Sequence, residues 1–360
     1  MARRIEILAV LALTLGADTG IALAPYRPST PNSSRSPVES LPRKPVNTPG
    51  TDTRYHPGSS EIRCKLVGLS SLRPLAPGKI PVVLVDGLWG SPRRWAPMVK
   101  ALEADPLVRG QFQFFTFGYT TSDPIPYSAH LLRRSLRALR DRSDTEHSDP
   151  SWDRMVLIGH SMGGLLCKMM TQESGSKLWD LTALRPFEKL EGPADARKLL
   201  QAVMDYKPVP EVKRLIFIAT PHRGSPLVWG PIREIGIRLV RPPTVLEQAR
   251  VSLLATNSSD IFTSGFQAGL PTSLEELAWE HPLLLAIDSL PIDPNVKRHS
   301  IIADLHSIGR PSGDDGQVPY ASAHHPCASS ELLINAGHHC LESPDVIKEV
   351  VRILKEHAMP

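Results

Sequence analysis

The decapeptide MVLIGHSMGG, residues 155–164, decides the fold of this chain. Its first four residues are apolar, which predicts a short buried strand, and an apolar helical pattern begins at Leu165. Ser161 stands between them, with Gly159 and Gly163 two positions away on either side. A serine at the apex of a sharp strand–turn–helix needs such small neighbours. A glycine-rich turn without chemistry is the plain alternative, but the flanking strand and helix favour a nucleophile elbow.

Composition and charge place the chain among ordinary globular proteins. The 360 residues carry a net charge of +4, and 41% of them are hydrophobic and 22% charged. This charge is too small and too evenly spread to predict nucleic acid as a partner. No apolar run reaches the roughly 18 residues of a membrane-spanning helix. The four cysteines show no metal-binding spacing.

The chain is predicted to have three segments. Residues 1–24 are predicted to be a signal peptide, because Arg3 and Arg4 precede an apolar stretch that ends in Ala-Leu-Ala. A disordered extension or a misassigned start is the alternative. Residues 25–60 hold eight prolines among Ser, Thr and Asn, which predicts a disordered linker. Residues 61–360 form the predicted folded domain, in a secreted or periplasmic protein.

Within this domain, apolar strands alternate with helices, which predicts a mostly parallel sheet covered on both faces. Strands are predicted at residues 80–85, 112–117, 155–158, 214–219, 299–303 and 331–335, and helices at 95–103, at 127–142 and from 344 onward. Four arginines of helix 127–142 are predicted to form a solvated face: Arg133, Arg134, Arg137 and Arg140.

Two long insertions, residues 175–213 and 226–296, leave the predicted sheet near the serine. Both mix large apolar residues with charged ones, as an element needs when one face covers a pocket and the other meets water. We therefore predict a cap over the serine pocket. Trp179, Phe187 and Trp229 are the candidates for an acyl-binding wall, and packing of the insertions onto the main domain is the alternative.

The elbow serine requires two partners. A serine hydroxyl is a weak nucleophile until a base takes its proton and an acid orients the base. In chains with such an elbow, the acid follows the serine along the sequence, and the histidine follows the acid. His338 comes after the last predicted strand in a glycine-led loop and is the predicted base, with His339 as the alternative. Asp315, in the loop after the preceding strand, is the predicted acid, with Asp314 as the alternative.

The strand at 80–85 runs into the loop Asp86-Gly87-Leu88-Trp89-Gly90. A glycine loop after such a strand predicts a backbone N–H donor for an oxyanion, here the amide of Leu88. An ordinary Asp-Gly turn is the alternative.

Four sequence blocks together resemble the lipase/esterase branch of the α/β-hydrolases. They are IPVVLVDGLWGSP at 80–92, MVLIGHSMGG at 155–164, FIATPHRGSP at 217–226, and DGQVPYASA at 315–323 with AGHHCLESPDVIKEVVRIL at 336–354. The chain looks most similar to bacterial serine hydrolases of the group that includes the PGAP-type, GPI-inositol-deacylase-like proteins. The resemblance extends from about residue 79 to the C-terminus.

This resemblance implies an α/β-hydrolase fold and ester hydrolysis through an acyl-enzyme, without a cofactor or metal. It implies that Ser161 is the nucleophile, Asp315 the acid and His338 the base. It further implies that the amides of Leu88 and Met162 are the oxyanion donors and that His222 faces the pocket. The implied partner is a small-molecule or lipid ester, with transient contact with lipid surfaces. The alternatives are acyl transfer, amide or thioester hydrolysis on the same triad, or a secreted binding protein without activity.

One position departs from the resembled pattern. Such sequences usually have His-Gly where this chain has Asp86-Gly87. An ionised Asp86 beside a developing oxyanion would oppose it. We expect either that the Asp86 side chain turns away and accepts backbone hydrogen bonds, or that activity is reduced.

Overall fold

A seven-stranded sheet organises the described part of the chain, which comprises residues 67–226, 243–305 and 312–359 of a computed structural model. The strands are β1 Gly68–Ser71, β2 Ile80–Val85, β3 Phe112–Gly118, β4 Met155–His160, β5 Val212–Ile218, β6 Lys297–Ala303 and β7 Ser330–Ile334. Their spatial order is β1-β3-β2-β4-β5-β6-β7. All neighbouring strands are parallel except β1, which is antiparallel to β3. The predictions for residues 1–66, and the candidate Trp229, lie outside the described residues.

Twelve helices connect or flank these strands in the described segments. They are α1 Ala96–Ala104, α2 Pro106–Gln111, α3 Ile125–Ser143, α4 Met162–Met169, α5 Lys177–Asp180, α6 Ala194–Met204, α7 Thr244–Thr256, α8 Ser264–Ala268, α9 Ser273–Glu276, α10 Pro282–Ser289, α11 Tyr320–Ala323 and α12 Pro344–Ala358. Short 3-10 turns lie at Pro92–Trp95, Trp152–Arg154 and Phe187–Lys189. Within the segments described, no helix combines the length and the apolar character that a membrane crossing requires.

The centre of the sheet is buried on both faces, and its side chains divide between two cores. Alternate residues of β2 point to opposite sides, so Val83 packs with α3 and α4 while Val82 packs with α1 and α12. All residues of β2, β3 and β4 are buried. This explains why these strands read as continuous apolar runs in the sequence. The predicted α/β-hydrolase fold is confirmed.

The strand order creates a crevice at the centre of the sheet. The chain passes from β2 to β3 on one side and returns to β4 on the other. In open α/β sheets, such a reversal separates the loops at the carboxyl ends of the two strands and leaves space for a ligand. The two loops that leave β2 and β4 are the predicted oxyanion loop and the elbow.

The prediction of a solvated face for four arginines of α3 is wrong for two of them, Arg133 and Arg140, which are buried. Arg133 donates to the carbonyl of Met169 at 2.9 Å, and its guanidinium lies 4.3 Å from the ring centroid of Tyr206. Arg140 forms an ion pair with Asp153. Distant segments of the chain cover α3 on the sides that carry Arg133 and Arg140. The helical periodicity of one segment cannot reveal contacts that distant segments supply.

The elbow is packed against the end of β2 with no room for side chains. A Cβ atom on Gly163 would lie 2.1 Å from the carbonyl oxygen of Val85, and one on Gly159 would lie 2.4 Å from the Cα of Gly164. Both neighbours are backbone atoms of the central strands and the elbow helix, so neither can yield without moving the sheet. The glycines are therefore required by packing.

We expect Gly163→Ala to lower the melting temperature markedly, because its new methyl group overlaps the Val85 carbonyl. Gly110→Ala in α2 is the matched control, since nothing lies within 4 Å of a Cβ at Gly110. Alanine in a helix is favoured over glycine by roughly 1 kcal/mol, so this control should be neutral or stabilising. Equal melting temperatures for both variants would contradict the packing described for the elbow.

Candidate active site

Ser161, His338 and Asp315 form one chain of hydrogen bonds at the carboxyl edge of the sheet. His338 Nε2 lies 2.9 Å from Ser161 Oγ, and His338 Nδ1 lies 2.7 Å from Asp315 Oδ2. The three residues come from the loops after β4, β6 and β7, that is, after the central strand of the sheet and the two last strands on one side of it. A base that contacts a hydroxyl on one side and a carboxylate on the other is the arrangement that activates a serine.

Ser161 occupies the apex of the elbow in a strained conformation. Its φ of 54° and ψ of −130° lie in a region that residues with a side chain rarely adopt. Such strain costs of order 1–3 kcal/mol and persists only where the surroundings enforce it. Here the Ser161 amide donates to the Ile218 carbonyl at 2.9 Å, and α4 begins directly after the serine. The strain directs the hydroxyl toward His338.

The acid loop and the base loop are tied to each other. Asp315 Oδ1 accepts hydrogen bonds from the amides of Gln317 and Val318 at 2.8 and 2.6 Å, which leaves Oδ2 for His338. The His338 amide donates to the Asp315 carbonyl at 2.8 Å. The neighbouring carboxylate of Asp314 instead accepts from the Gly316 amide within its own turn. The structure thus brings Asp315, and not Asp314, to the histidine.

His338 is buried, and this sets its protonation. Burial lowers the pKa of His338 below its ordinary value, although the hydrogen bond and the charge of Asp315 act in the opposite direction. The imidazole is therefore neutral at neutral pH and can accept a proton. His339 is more exposed, and its Nδ1 faces the Arg94 guanidinium at 2.9 Å. Partial burial of its ring and the Arg94 charge lower the pKa of His339 to about 4.

The predicted oxyanion loop lies directly over the serine. A Cβ on Gly87 would be 2.6 Å from Ser161 Cβ and 3.1 Å from the Met162 amide nitrogen, so only glycine allows this approach. The loop is fixed by hydrogen bonds from the Trp89 amide to Thr121 Oγ1 and from the Gly90 amide to the Gly87 carbonyl. Among the described residues, no acceptor is found for the amides of Leu88 and Met162. Both remain able to bind an oxyanion.

The Asp86 side chain is turned away from the serine, which is the first of the two arrangements expected from the sequence. Its Oδ1 accepts a hydrogen bond from the Gly87 amide at 2.8 Å and lies 2.8 Å from His160 Nδ1. No role was predicted for His160 from the sequence. The available signal was a histidine at the end of a strand whose residues are otherwise apolar or glycine.

The candidate His222 lies in the interior. It is 2% exposed, and its ring packs against those of Phe217 and His325 at centroid distances of 4.8 and 5.2 Å. Burial lowers the pKa of His222 well below its ordinary value. The structure thus shows a buried ring packed by aromatic neighbours, and the predicted pocket-facing position of His222 stays a prediction.

Trp179 and Phe187 belong to a hydrophobic cluster inside the two insertions. Their rings meet edge to face with centroids 5.2 Å apart, and Trp179 Nε1 donates to the Arg185 carbonyl. The cluster joins the first insertion to α7 and α8 of the second. The sequence analysis set packing of the insertions onto the main domain against an acyl-binding wall. The cluster instead packs the two insertions against each other, and the acyl-binding wall stays a prediction.

A surface pocket of about 460 Å³ borders the acid and base loops. Its lining includes Asp315, Gly337 and His338 but not Ser161, so it adjoins the hydrogen-bonded chain on the acid side. Within residues 67–226, 243–305 and 312–359, no group of three or more His, Cys, Asp or Glu side chains is arranged to hold a metal ion.

Comparisons with known proteins find lipases and esterases among the similar solved structures, all at low identity. No family model matches the chain, and no curated protein matches it. The mature lipase BlEst2 of Bacillus licheniformis is 14% identical with a TM-score of 0.46, covering 79% of this chain and 97% of that one. EstA from Clostridium botulinum is 13% identical with a TM-score of 0.47, covering 84% and 95%. The Vlm2 thioesterase domain is 13% identical with a TM-score of 0.39, covering 81% and 98%. The resemblance to the PGAP-type branch stays a prediction.

We expect Trp179→Ala to destabilise the protein by roughly 3–5 kcal/mol, because it leaves a cavity in the cluster of the insertions. The relative rates on short and long nitrophenyl esters should not change. Leu184→Ala is the control, since Leu184 is 65% exposed and its truncation should leave stability nearly intact. A changed chain-length preference with unchanged unfolding free energy would show instead that Trp179 lines an acyl site.

Proposed function

We propose that the protein is a serine hydrolase of carboxylic esters that acts through an acyl-enzyme. The observation that carries this proposal is the position of His338, whose Nε2 meets Ser161 Oγ while its Nδ1 meets Asp315. Hydrogen-bonded in this way, a buried neutral imidazole can take the serine proton as the hydroxyl attacks a carbonyl carbon.

In the acylation step, Ser161 Oγ bonds to the ester carbonyl carbon and its proton passes to His338 Nε2. The carbonyl oxygen becomes an oxyanion and accepts hydrogen bonds from the amides of Leu88 and Met162. The amide of Met162 is also the first N–H of α4, where the helix dipole favours negative charge. His338 then gives the proton to the leaving alcohol, and the acyl group stays on the serine.

In the deacylation step, water replaces the alcohol. His338 takes a proton from this water as its oxygen attacks the acyl carbon, and a second oxyanion forms in the same site. Return of the proton to Ser161 Oγ releases the carboxylic acid. Asp315 stays ionised throughout, fixes the imidazole tautomer and stabilises the imidazolium, and its second oxygen remains bound to two backbone amides.

The same geometry supports an acyl compound as the substrate. The site supplies a base, a nucleophile and two amide donors, which suit a carbonyl with an alcohol leaving group. We propose a small-molecule or lipid ester as the substrate.

Ser161→Ala is expected to reduce turnover of a nitrophenyl ester by on the order of a million-fold in kcat. The loss arises because no other group occupies the position of Oγ. Circular dichroism and melting should match the native protein or exceed it, since alanine removes only one heavy atom. A fluorophosphonate probe should label native protein at Ser161 and leave the variant unlabelled. The absence of label on native, folded protein would refute the proposed function and favour a binding protein without activity.

Asp315→Asn is expected to lower kcat by several orders of magnitude, about 10⁴ by analogy with measured triads, because His338 loses its orienting carboxylate. Asp314→Asn is the matched control, since its carboxylate accepts from the amide of the adjacent turn. The control should retain activity within a few-fold. The reverse pattern, with Asp314→Asn inactive and Asp315→Asn active, would assign the acid to the neighbouring position.

A further inference from the structure

A second pair of titratable side chains lies behind the serine and does not enter the proposed reaction. Asp86 follows β2, and His160 is the last residue of β4, directly before the serine. His160 Nδ1 is 2.8 Å from Asp86 Oδ1, and His160 Nε2 is 2.9 Å from the main-chain carbonyl oxygen of His338. Asp86 and His160 are 4% and 1% exposed. They join the oxyanion loop, the elbow and the base loop.

The proton count of this pair is fixed by its partners. A carbonyl oxygen only accepts hydrogen bonds, so His160 Nε2 must carry a proton. Asp86 Oδ1 also accepts from the Gly87 amide, and it faces His160 Nδ1 across a hydrogen-bond distance. A neutral imidazole that is protonated at Nε2, beside an ionised carboxylate, leaves no proton between His160 Nδ1 and Asp86 Oδ1. The pair therefore holds one further proton and carries no net charge.

That further proton belongs to the imidazole. Burial would raise the pKa of Asp86, but the hydrogen bond and charge of His160, with help from Arg94 and the Gly87 amide, bring it below its ordinary value. Asp86 is then ionised, and the contacts of both His160 ring nitrogens with acceptors, Asp86 Oδ1 and the His338 carbonyl oxygen, place a proton on each nitrogen, which makes the ring an imidazolium. The turn leaves room for the Asp86 carboxylate only because residue 90 is glycine, since a Cβ on Gly90 would lie 2.3 Å from Asp86 Oδ2.

Four other titratable groups face the pair from the surrounding elements. Arg94 Nε is 3.9 Å from Asp86 Oδ2, and the Tyr119 hydroxyl donates to the Asp86 carbonyl at 2.7 Å. Burial, and then the Asp86 charge, raises the pKa of Tyr119, which stays protonated. The His338 ring is 5.2 Å from that of His160 between centroids, and His339 packs against His338.

We propose that the ion pair of Asp86 and His160 is a positioning device that clamps the base loop and keeps the imidazole of His338 neutral. This inference rests on the proposed function, because it assigns the pair a task in the same reaction. The imidazolium donates to the His338 carbonyl and so fixes the backbone that carries the base. Its positive charge, on a ring centred 5.2 Å from the His338 ring, opposes protonation of that ring.

The positive charge of His160 acts on the pKa of His338. A neighbouring cation disfavours the imidazolium form of His338 and lowers its pKa, in the same direction as burial. Removal of the cation raises the pKa of His338. The acid limb of the pH–rate profile, where the base becomes protonated, then moves to higher pH.

The first test measures the proton directly. In full-length Ser161→Ala protein with ¹⁵N-labelled histidine, NMR at neutral pH should show one buried imidazole with both nitrogens protonated. The signal is assigned by its loss in the double variant that adds His160→Gln. A singly protonated His160 at neutral pH would overturn the proposal. This experiment requires no turnover, so it is independent of whether the protein hydrolyses esters.

The second test uses Asp86→Asn in the otherwise native chain. The oxygen of the substituted side-chain amide can still accept from the Gly87 amide and from His160 Nδ1, but it lacks the negative charge that stabilises the imidazolium, so the clamp is weakened. The fluorophosphonate labelling rate should fall roughly 10- to 100-fold, and its acid limb should move to higher pH. A native rate, or a slow rate with an unmoved acid limb, would contradict the proposal. If this variant does not fold, the NMR measurement decides.

Asp288→Asn is the control for a merely structural effect. Asp288 pairs with Lys168, which is 1% exposed, so its loss also leaves a buried cation without its carboxylate. We expect a lower melting temperature and an unmoved acid limb. Absence of Ser161 labelling in all variants and in native protein would reject the proposed function, whereas the NMR result would still stand on its own.

Discussion

The close approach of the elbow to the end of β2 is the constraint on which the rest of the structure depends. Gly163 lies against the Val85 carbonyl, and Gly87 lies against Ser161 and the Met162 amide. These contacts hold the two central loops within hydrogen-bonding reach of one small volume. They also force Ser161 into a backbone conformation that places its hydroxyl toward the loops from β6 and β7. Strain at the apex is therefore maintained by the packing of the whole sheet.

Around this volume, burial and hydrogen-bond partners determine the charge of each histidine. His338 is held neutral beside its carboxylate, which suits a base, whereas the contacts of His160 require two protons. His222 is neutral because no carboxylate compensates for its burial among the described residues. Three histidines within one fold thus have three different environments, and the state of each follows from its partners and its access to water.

Much of this arrangement could be predicted from the sequence, because it depends on local patterns. The strands β2 and β4 are continuous apolar runs, and the glycine spacing around Ser161 permits one kind of turn. The order of acid and histidine along the chain restricted the partners of Ser161, and the structure brings Asp315 and His338 to it.

What could not be predicted depends on contacts between distant segments. The role of Asp86 requires His160, which is 74 positions away, and the carbonyl of His338 near the end of the chain. The burial of Arg133 depends on Tyr206 and the end of α4. The aromatic residues of the first insertion looked equally suitable for a pocket wall or a core, since both have the same sequence signature.

The central claim is that Ser161 carries the acyl group during ester hydrolysis. Rapid acid quenching of the protein with excess nitrophenyl ester, followed by intact-mass and peptide mass spectrometry, tests it most directly. The account predicts a mass increase equal to one acyl group, located on the peptide that contains Ser161 and absent from Ser161→Ala. Steady hydrolysis by native protein with the acyl group on another residue would contradict it.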